Sequence, residues 1–401
     1  MKTNKPHDAS PGRRRFLAAG LAFASAPVFG LVRGATPADL ASCEFDAFVL
    51  EQMRQARIPG LAVGWARDGA TRFARGFGYA DIESRRMVDA DTVFHLASIT
   101  KTVTATAIAW LHEQGRLDLD EPVAPHLNFP LRHQRHRAAT ITARQLLMHT
   151  SGISDANYYR IDFRTPGRDA DMPLQDFLRD YLVPGGKAYS AEGSFFAHAP
   201  GAAWGYSNVG YAVLGELAAR VSGEDMRELT RREVFAPLGM TSTFWTLAET
   251  PAERSATPYL MAGSAYVRQR PIGAPDWPGS MLRSSIADLT RYVAAAANGG
   301  AAGDARMLRP QNMAELLLMR QPAQLPEWLT GQGLGWMQGR LGDRIVANHW
   351  GGDPGVFTAA YLDPDTRCGV AILSNASASD ASKAAIKNIA MRLLARPDEA
   401  H

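Results

Sequence analysis

The sequence predicts a mixed fold of the α+β type: an antiparallel sheet flanked by terminal helices, with a mostly helical lobe inserted. Three observations carry this. Hairpin patterns occur near both ends of the chain, at Asp68-Gly69 and again at Gly342-Asp343 and Asp363-Pro364-Asp365-Thr366. Helical patterns with long loops fill the middle. Consecutive hairpins make antiparallel pairs, so the simplest architecture joins both ends in one sheet. We place the sheet lobe at about 45–97 and 300–401, and the helical lobe at about 98–299.

The elements follow in order. Residues 1–38 are an export signal. Arg13-Arg14-Arg15 precede an apolar run from Phe16 to Val32 that is short and broken by Pro27. Such a run is too short for a membrane span, and Arg-Arg-x-Phe-Leu reads as a twin-arginine signal. Cleavage near Ala35 or Ala38 leaves a periplasmic or secreted domain, 39–401. "LASC", ending at Cys43, lies too far past the apolar run for a lipoprotein box. The signal carries six cations against Asp8, while the whole chain is only +3. The mature part is therefore about −2, and nothing in it points to nucleic acid. Cys43 and Cys368 are the only cysteines. They read as two independent buried thiols, although an exported chain allows them to pair.

"CEFDAFVLEQMRQARIPG" has helical periodicity and stops at Pro59-Gly60. "LAVGWARDGATRFARGFGYAD" is a hairpin. "HLASITKTVTATAIAWLHEQG" is a nearly apolar helix running from near Ser98 to Gly115. "ITARQLLMHTSGI", "NVGYAVLGELAARVSG" and "SSIADLTRYVAAAANGG" continue the helical part. "LGWMQGRLGDRIVANHW" and "GVFTAAYLDPDTRCGVAILSN" return to strands, and "ASKAAIKNIAMRLLAR" closes the chain as a helix.

The chemistry begins with Lys101. Only six of the 43 basic residues are Lys, at 2, 5, 101, 187, 383 and 387. Arg keeps its proton in a protein, whereas a desolvated Lys can give it up. Ser98 and Lys101 lie at i and i+3, on one helix face. A Ser hydroxyl needs a base, and a neutral Lys is one. An apolar helix and its positive N-terminus both lower the pKa of a Lys there. The alternative, an N-cap Ser with a solvated Lys, requires a polar face, and "TVTATAIAWL" is not one.

Tyr206-Ser207-Asn208 is the chain's only Tyr-x-Asn and precedes a helix. Tyr206 can shuttle a proton if a neighbouring Lys depresses its pKa, and Asn208 can hold a substrate amide or the Lys. Ser207 or Asn208 as a simple helix cap fits equally well. In "ANHWGGDPGV", His349 closes a strand pattern. Gly351-Gly352 admit a ligand close to the backbone, and free N–H groups at a strand end suit an oxyanion hole. A Gly-rich strand end with a half-buried His is the other reading.

Ser98-Ile99-Thr100-Lys101, Tyr206-Ser207-Asn208 and His349-Trp350-Gly351, in this order, resemble the serine β-lactamase and penicillin-binding-protein-like family. That family includes class C β-lactamases, D-Ala-D-Ala carboxypeptidases, D-aminopeptidases and related carboxylesterases. "LLMHTSGI", "FAPLGMTSTFW" and "SSIADLTRY" match as well, so the resemblance spans about 45–395. It implies a β-lactamase/transpeptidase-like fold and a serine hydrolase. Ser98 would be acylated, and Lys101 and Tyr206 would share acid/base work. Asn208, His349, Trp350, Gly351 and Gly352 would bind substrate, with the N–H groups of Ser98 and Gly352 as the oxyanion hole. Lys stands at the position of His349 in class C enzymes, and a small hydroxyl residue is common at Trp350. Both departures favour small esters or D-amino-acid amides and peptides over β-lactams.

Other classes fit less well. Gly-x-Ser-x-Gly is absent, and His112-Glu113 lacks the second His of a zinc protease. His126, His133 and His136 read as solvated in an Arg-rich loop, so no metal or cofactor is expected. Gly185-Gly186-Lys187 has no following Ser or Thr and is no phosphate loop. A non-catalytic sensor on the same scaffold would be expected to lack Ser98, Lys101 or Tyr206. The expected partner is a small-molecule or short peptide substrate, with no stable membrane span once the signal is removed.

Overall fold

A computed structural model describes residues 37–395, with side chains from Cys43 onward. The chain divides into two units, 1–45 and 46–401. The expected export signal therefore lies outside the described residues, apart from Pro37 and Ala38. No described helix is long and apolar enough to cross a membrane.

Helix α1 runs Pro37–Ala56. Strands β1 (Gly60–Arg67) and β2 (Ala70–Asp81) form the first hairpin. Its two-residue turn, Asp68-Gly69, has positive φ at both positions, 53° and 74°, the conformation that matches strand twist. A short β3 (Arg86–Met87) follows, then helix α2 (Thr100–Glu113). In the middle of the chain the main helices are α3 (Asn208–Ser222) and α4 (Ile286–Ala297). The chain ends with β4 (Gly331–Gln332), β5 (Met337–Leu341), β6 (Arg344–Asp353), β7 (Val356–Asp363), β8 (Cys368–Ser374) and helix α5 (Asp380–Leu394).

Both ends meet in one eight-stranded sheet, ordered β4-β5-β6-β7-β8-β1-β2-β3, and every pair is antiparallel. This is the joining the hairpin pattern predicts. The two faces are distinct. Thr290 and Val293 of α4 pack straight against Gly64 and Gly369. The other face carries α5, whose Lys387 lies over the Trp350 ring. Asn388 of α5 bonds Gln52 of α1 at 2.8 Å, so the terminal helices are neighbours there.

Directly paired residues of antiparallel strands share a face. Gly64 pairs with Ala371, Ala371 with Ala360, and Ala360 with His349. The α4 side of the sheet therefore continues to His349, and by alternation to Gly351 and Asp353. Trp350 and Gly352 belong to the α5 side.

The middle of the chain is less purely helical than the sequence pattern suggests. It contains short strands, of which Val93–His95, Arg283–Ser285 and Thr243–Phe244 form a three-stranded sheet. These runs are two or three residues long, too short for a period-2 signal. They fix the approach to Ser98: His95 pairs with Arg283, and Leu96 N–H donates to Leu282 O at 2.9 Å.

Both cysteines are free. Cys368 is buried, while Cys43 is exposed, contrary to the expectation of two buried thiols. His133 is also corrected. It is fully buried rather than solvated, with its ring 5.1 Å from Phe195 and 5.0 Å from His136. Among the described residues no group of three or more His, Cys, Asp or Glu is arranged to hold a metal.

Candidate active site

The site is built around the turn that enters α2. Ala97 has φ of +47°, a left-handed conformation rare for a residue with a side chain. Thr100 Oγ1 donates to Ala97 O at 2.5 Å and accepts from Leu282 N–H at 3.1 Å. These bonds hold Ala97 in that conformation. A one-turn 3₁₀ segment, Ala97–Ile99, then leads into the α-helix and leaves Ser98 half-buried at its start.

Lys101 is completely buried, as the apolar helix demands. Its Nζ donates to Ser98 Oγ at 3.2 Å, to Asn208 Oδ1 at 2.7 Å and to Gly279 O at 2.7 Å. Burial pulls its pKa down to about 8, against the opposing charges of Asp276, Asp155 and Asp353. Tyr206 Oη donates to the same Ser98 Oγ at 2.8 Å. The structure thus brings Ser98, Lys101, Tyr206 and Asn208 together from segments about a hundred residues apart.

Tyr206 departs from one expectation. Burial holds its phenol well above 10, so Lys101 does not depress it. The reason is geometric. Lys101 Nζ lies over the ring face, 4.8 Å from its centroid, while the phenol's hydrogen bond goes to Ser98 Oγ. At rest Tyr206 is a neutral donor to Ser98.

Ser207 caps α3, its Oγ accepting from Gly210 N–H at 2.9 Å. The capping reading of this motif is therefore observed, and it is compatible with the catalytic one. Beneath it lies Asp155, which the sequence reading missed. Its carboxylate accepts from Ser207 Oγ at 2.8 Å, Asn208 N–H at 2.6 Å and Val209 N–H at 3.2 Å. An acid at a helix N-terminus is favourable, and this one pins the Tyr206–Asn208 segment. Burial nevertheless raises its pKa to about 6. His149, of "LLMHTSGI", was missed as well. It stacks on Tyr206 with centroids 4.4 Å apart and accepts from Ser207 N–H at 3.2 Å. Tyr159 closes the set by accepting from Asn208 Nδ2 at 3.0 Å. No spacing rule links 149 and 155 to 206–208, so only the fold reveals them.

The third motif needs correction. His349 does not end its strand; β6 continues to Asp353. The partner β5 begins opposite Asn348, so residues 349–353 are paired on one side only within the sheet. His349 is buried, its Nδ1 2.9 Å from Trp350 O. Burial and the Lys101 charge pull its pKa to about 3, so it is neutral at neutral pH. Gly351 is the point of closest approach. A Cβ there would lie 2.2 Å from Leu96 O and 3.0 Å from Ser98 N. Only glycine lets the strand lie this close to the Ser98 turn. Gly352 has open space at its Cβ position. Trp350 is turned away, its ring 5.7 Å from Phe357 and 6.4 Å from Tyr361, with Lys387 Nζ 5.0 Å above it. The alternation that points Gly351 at Ser98 sends Trp350 to the α5 face, so its indole does not line the Ser98 side.

Fold and site together define a protein of the β-lactamase/transpeptidase fold, in a family of serine hydrolases. Residues 45–394 match the Beta-lactamase family, and the chain belongs to it. It is 32% identical to Esterase EstB of Burkholderia gladioli over 251 residues, 60% of this chain and 61% of that one. It is 26% identical to Protein flp of Staphylococcus aureus over 252 residues, 62% of this chain and 48% of that one, so the match spans about half the length of flp. Among solved structures, the octameric penicillin-binding protein homologue from Pyrococcus abyssi superimposes with a TM-score of 0.71. The two share 26% identity, over 89% of this chain and 78% of that one. The D-amino acid amidase from Ochrobactrum anthropi SV3 gives a TM-score of 0.68 at 23% identity, covering 88% and 98%, which is a likeness of fold.

Proposed function

We propose that the chain is a serine hydrolase that forms an acyl-enzyme on Ser98 and hydrolyses small esters or D-amino-acid amides and peptides. The observation that carries this is the pair of hydrogen bonds on Ser98 Oγ, from Lys101 at 3.2 Å and Tyr206 at 2.8 Å. Neutral Lys101 takes the Ser98 proton as Oγ attacks the carbonyl carbon. Tyr206 relays that proton to the leaving oxygen or nitrogen as the ester or amide bond breaks. Water then attacks the acyl carbon by the reverse relay and releases the acid. The backbone N–H groups of Ser98 and Gly352 stabilise the oxyanion.

Esters and amides without a carboxylate beside the scissile bond are favoured because no fixed cation stands at His349. A charge-assisted hydrogen bond is roughly twice as strong as a neutral one, so the carboxylate of a penicillin or cephalosporin loses its anchor. The likeness to Esterase EstB supports the same preference. The test is intact-mass spectrometry with a fluorophosphonate, plus kcat/KM for a short-chain ester, a D-amino-acid amide and a cephalosporin. An adduct on Ser98 and a preference for ester or amide are expected. An active preparation with no adduct, or one on Ser207, overturns the mechanism. Preference for the cephalosporin makes the protein a β-lactamase instead.

A further inference from the structure

We propose that Asp276 is a positioning residue for acyl transfer: it fixes the turn that holds Lys101, and its buried carboxylate decides how firmly Lys101 keeps its proton. The proposal rests on the acyl-enzyme reading above. Lys101 Nζ donates to Gly279 O at 2.7 Å, and a Cβ on Gly279 would lie 3.6 Å from that nitrogen. Gly279 belongs to a one-turn helix, Trp277–Ser280, with Asp276 at its start. Asp276 braces this turn twice. Its backbone O accepts from Gly279 N–H at 2.8 Å, and its Oδ2 accepts from Ser280 Oγ at 2.9 Å. Tyr158 Oη donates to the other oxygen, Oδ1, at 2.8 Å. Thr104 of α2 ties the turn to the helix of Lys101, its Oγ1 donating to Pro278 O at 2.6 Å.

The brace also carries charge. Asp276 is completely buried, and the cation that acts on its carboxylate is Lys101. Burial raises its pKa, but both oxygens accept from hydroxyls, an arrangement that favours the ionised form. Among the carboxylates that oppose the effect of burial on Lys101, Asp276 acts most strongly, ahead of Asp155 and Asp353. The other ionisable groups around Lys101 are His149 and His349, with the Tyr206 and Tyr211 rings 4.8 and 5.5 Å from Nζ. None of these supplies a negative charge at neutral pH, since both histidines are lowered by burial and both phenols are raised by it. A lysine buried without a counter-charge holds its proton weakly and is a poor base once neutral.

The experiment is the pH profile of kcat/KM for a short-chain ester with no titrating group, in the parent, Asp276→Asn and Ser280→Ala. Asn keeps the shape and can still accept from Tyr158, but it carries no charge. Lys101 should then release its proton more easily. The rising limb should move about 0.5–1 unit to lower pH, and the plateau should fall. Ser280→Ala removes one brace and keeps the charge, so its limb should stay with the parent's. Asp276→Ser replaces the Asn variant if that one misfolds. A limb unmoved or moved upward in the folded Asp276 variant, or no activity at any pH, overturns the proposal. So does an equal shift in Ser280→Ala, since packing alone would then explain it. Failure of the underlying reading looks different: the parent's profile would be flat, or hydrolysis would persist in Ser98→Ala.

Discussion

The Nζ of Lys101 reaches three acceptors at once, Ser98 Oγ, Asn208 Oδ1 and Gly279 O, from a fully buried position. Ammonium has three protons, and all three are used. Loss of one leaves two donors for Asn208 and Gly279 and a lone pair for Ser98. The protonated state is thus accommodated while the neutral state is still aimed at Ser98 Oγ.

Lys101→Arg tests that role. Arg retains the charge but cannot act as a base, and its fork does not fit a site made for one nitrogen. Loss of about 10²-fold or more in kcat is expected. The unmodified enzyme should also show kcat/KM rising with pH as Lys101 loses its proton. The midpoint should lie near the lowered value of about 8. A flat profile between pH 6 and 9, or near-normal turnover by the Arg variant, would make Lys101 structural.

Gly351 and Gly352 should respond oppositely to one methyl group. Gly351→Ala drives a Cβ into Leu96 O and against Ser98 N, both backbone atoms with little room to yield. Overpacking of this kind costs about 1–3 kcal/mol, and here it also displaces the Ser98 turn. A marked fall in both melting temperature and kcat is expected. Gly352→Ala enters open space and should leave the melting temperature within about 2 °C of the parent, a surface-sized effect. Equal effects at both positions would contradict the register described here.

The buried histidines predict an acid instability with a definite sign. His349 has a folded-state pKa near 3 against about 6.5 when unfolded. Between those values the unfolded chain binds a proton that the folded chain refuses. Its stability contribution is therefore complete above pH 6.5 and is lost as pH falls toward 3. By linkage the loss at pH 5.5 is about 1.4 kcal/mol for this one group. Asp155 and Asp353 are shifted upward and act in the opposite sense, so the measurement must be a difference. Urea midpoints at pH 7.5 and 5.5 should fall further in the parent than in His349→Gln. Equal falls would mean that His349 is protonated in the fold.

Export is testable without a structure. Arg13 and Arg14 lie outside the described residues, and the prediction rests on the sequence alone. Changing both to Lys should retain the protein in the cytoplasm, read as the periplasmic fraction of activity. Unchanged export would assign the general secretory route.

The linear order of residues was enough to determine the main helices and hairpins and to single out Ser98 and Lys101 as candidates. Apolar periodicity around Lys101 gave its burial, because a cation on an apolar helix has no solvated face to occupy. The turn pairs Asp68-Gly69 and Gly342-Asp343 gave the hairpins, because such pairs reach positive φ cheaply. Tertiary structure alone decided what those elements meet. Asp155 and His149 hold the Tyr206 segment across some fifty residues, and Asp353 shares a face with Gly351 only because β6 runs past His349 without breaking. Trp350 shows the reason most sharply. Sequence placed it beside Gly351, and strand alternation then sent the two to opposite faces, since neighbours in a strand cannot share a side.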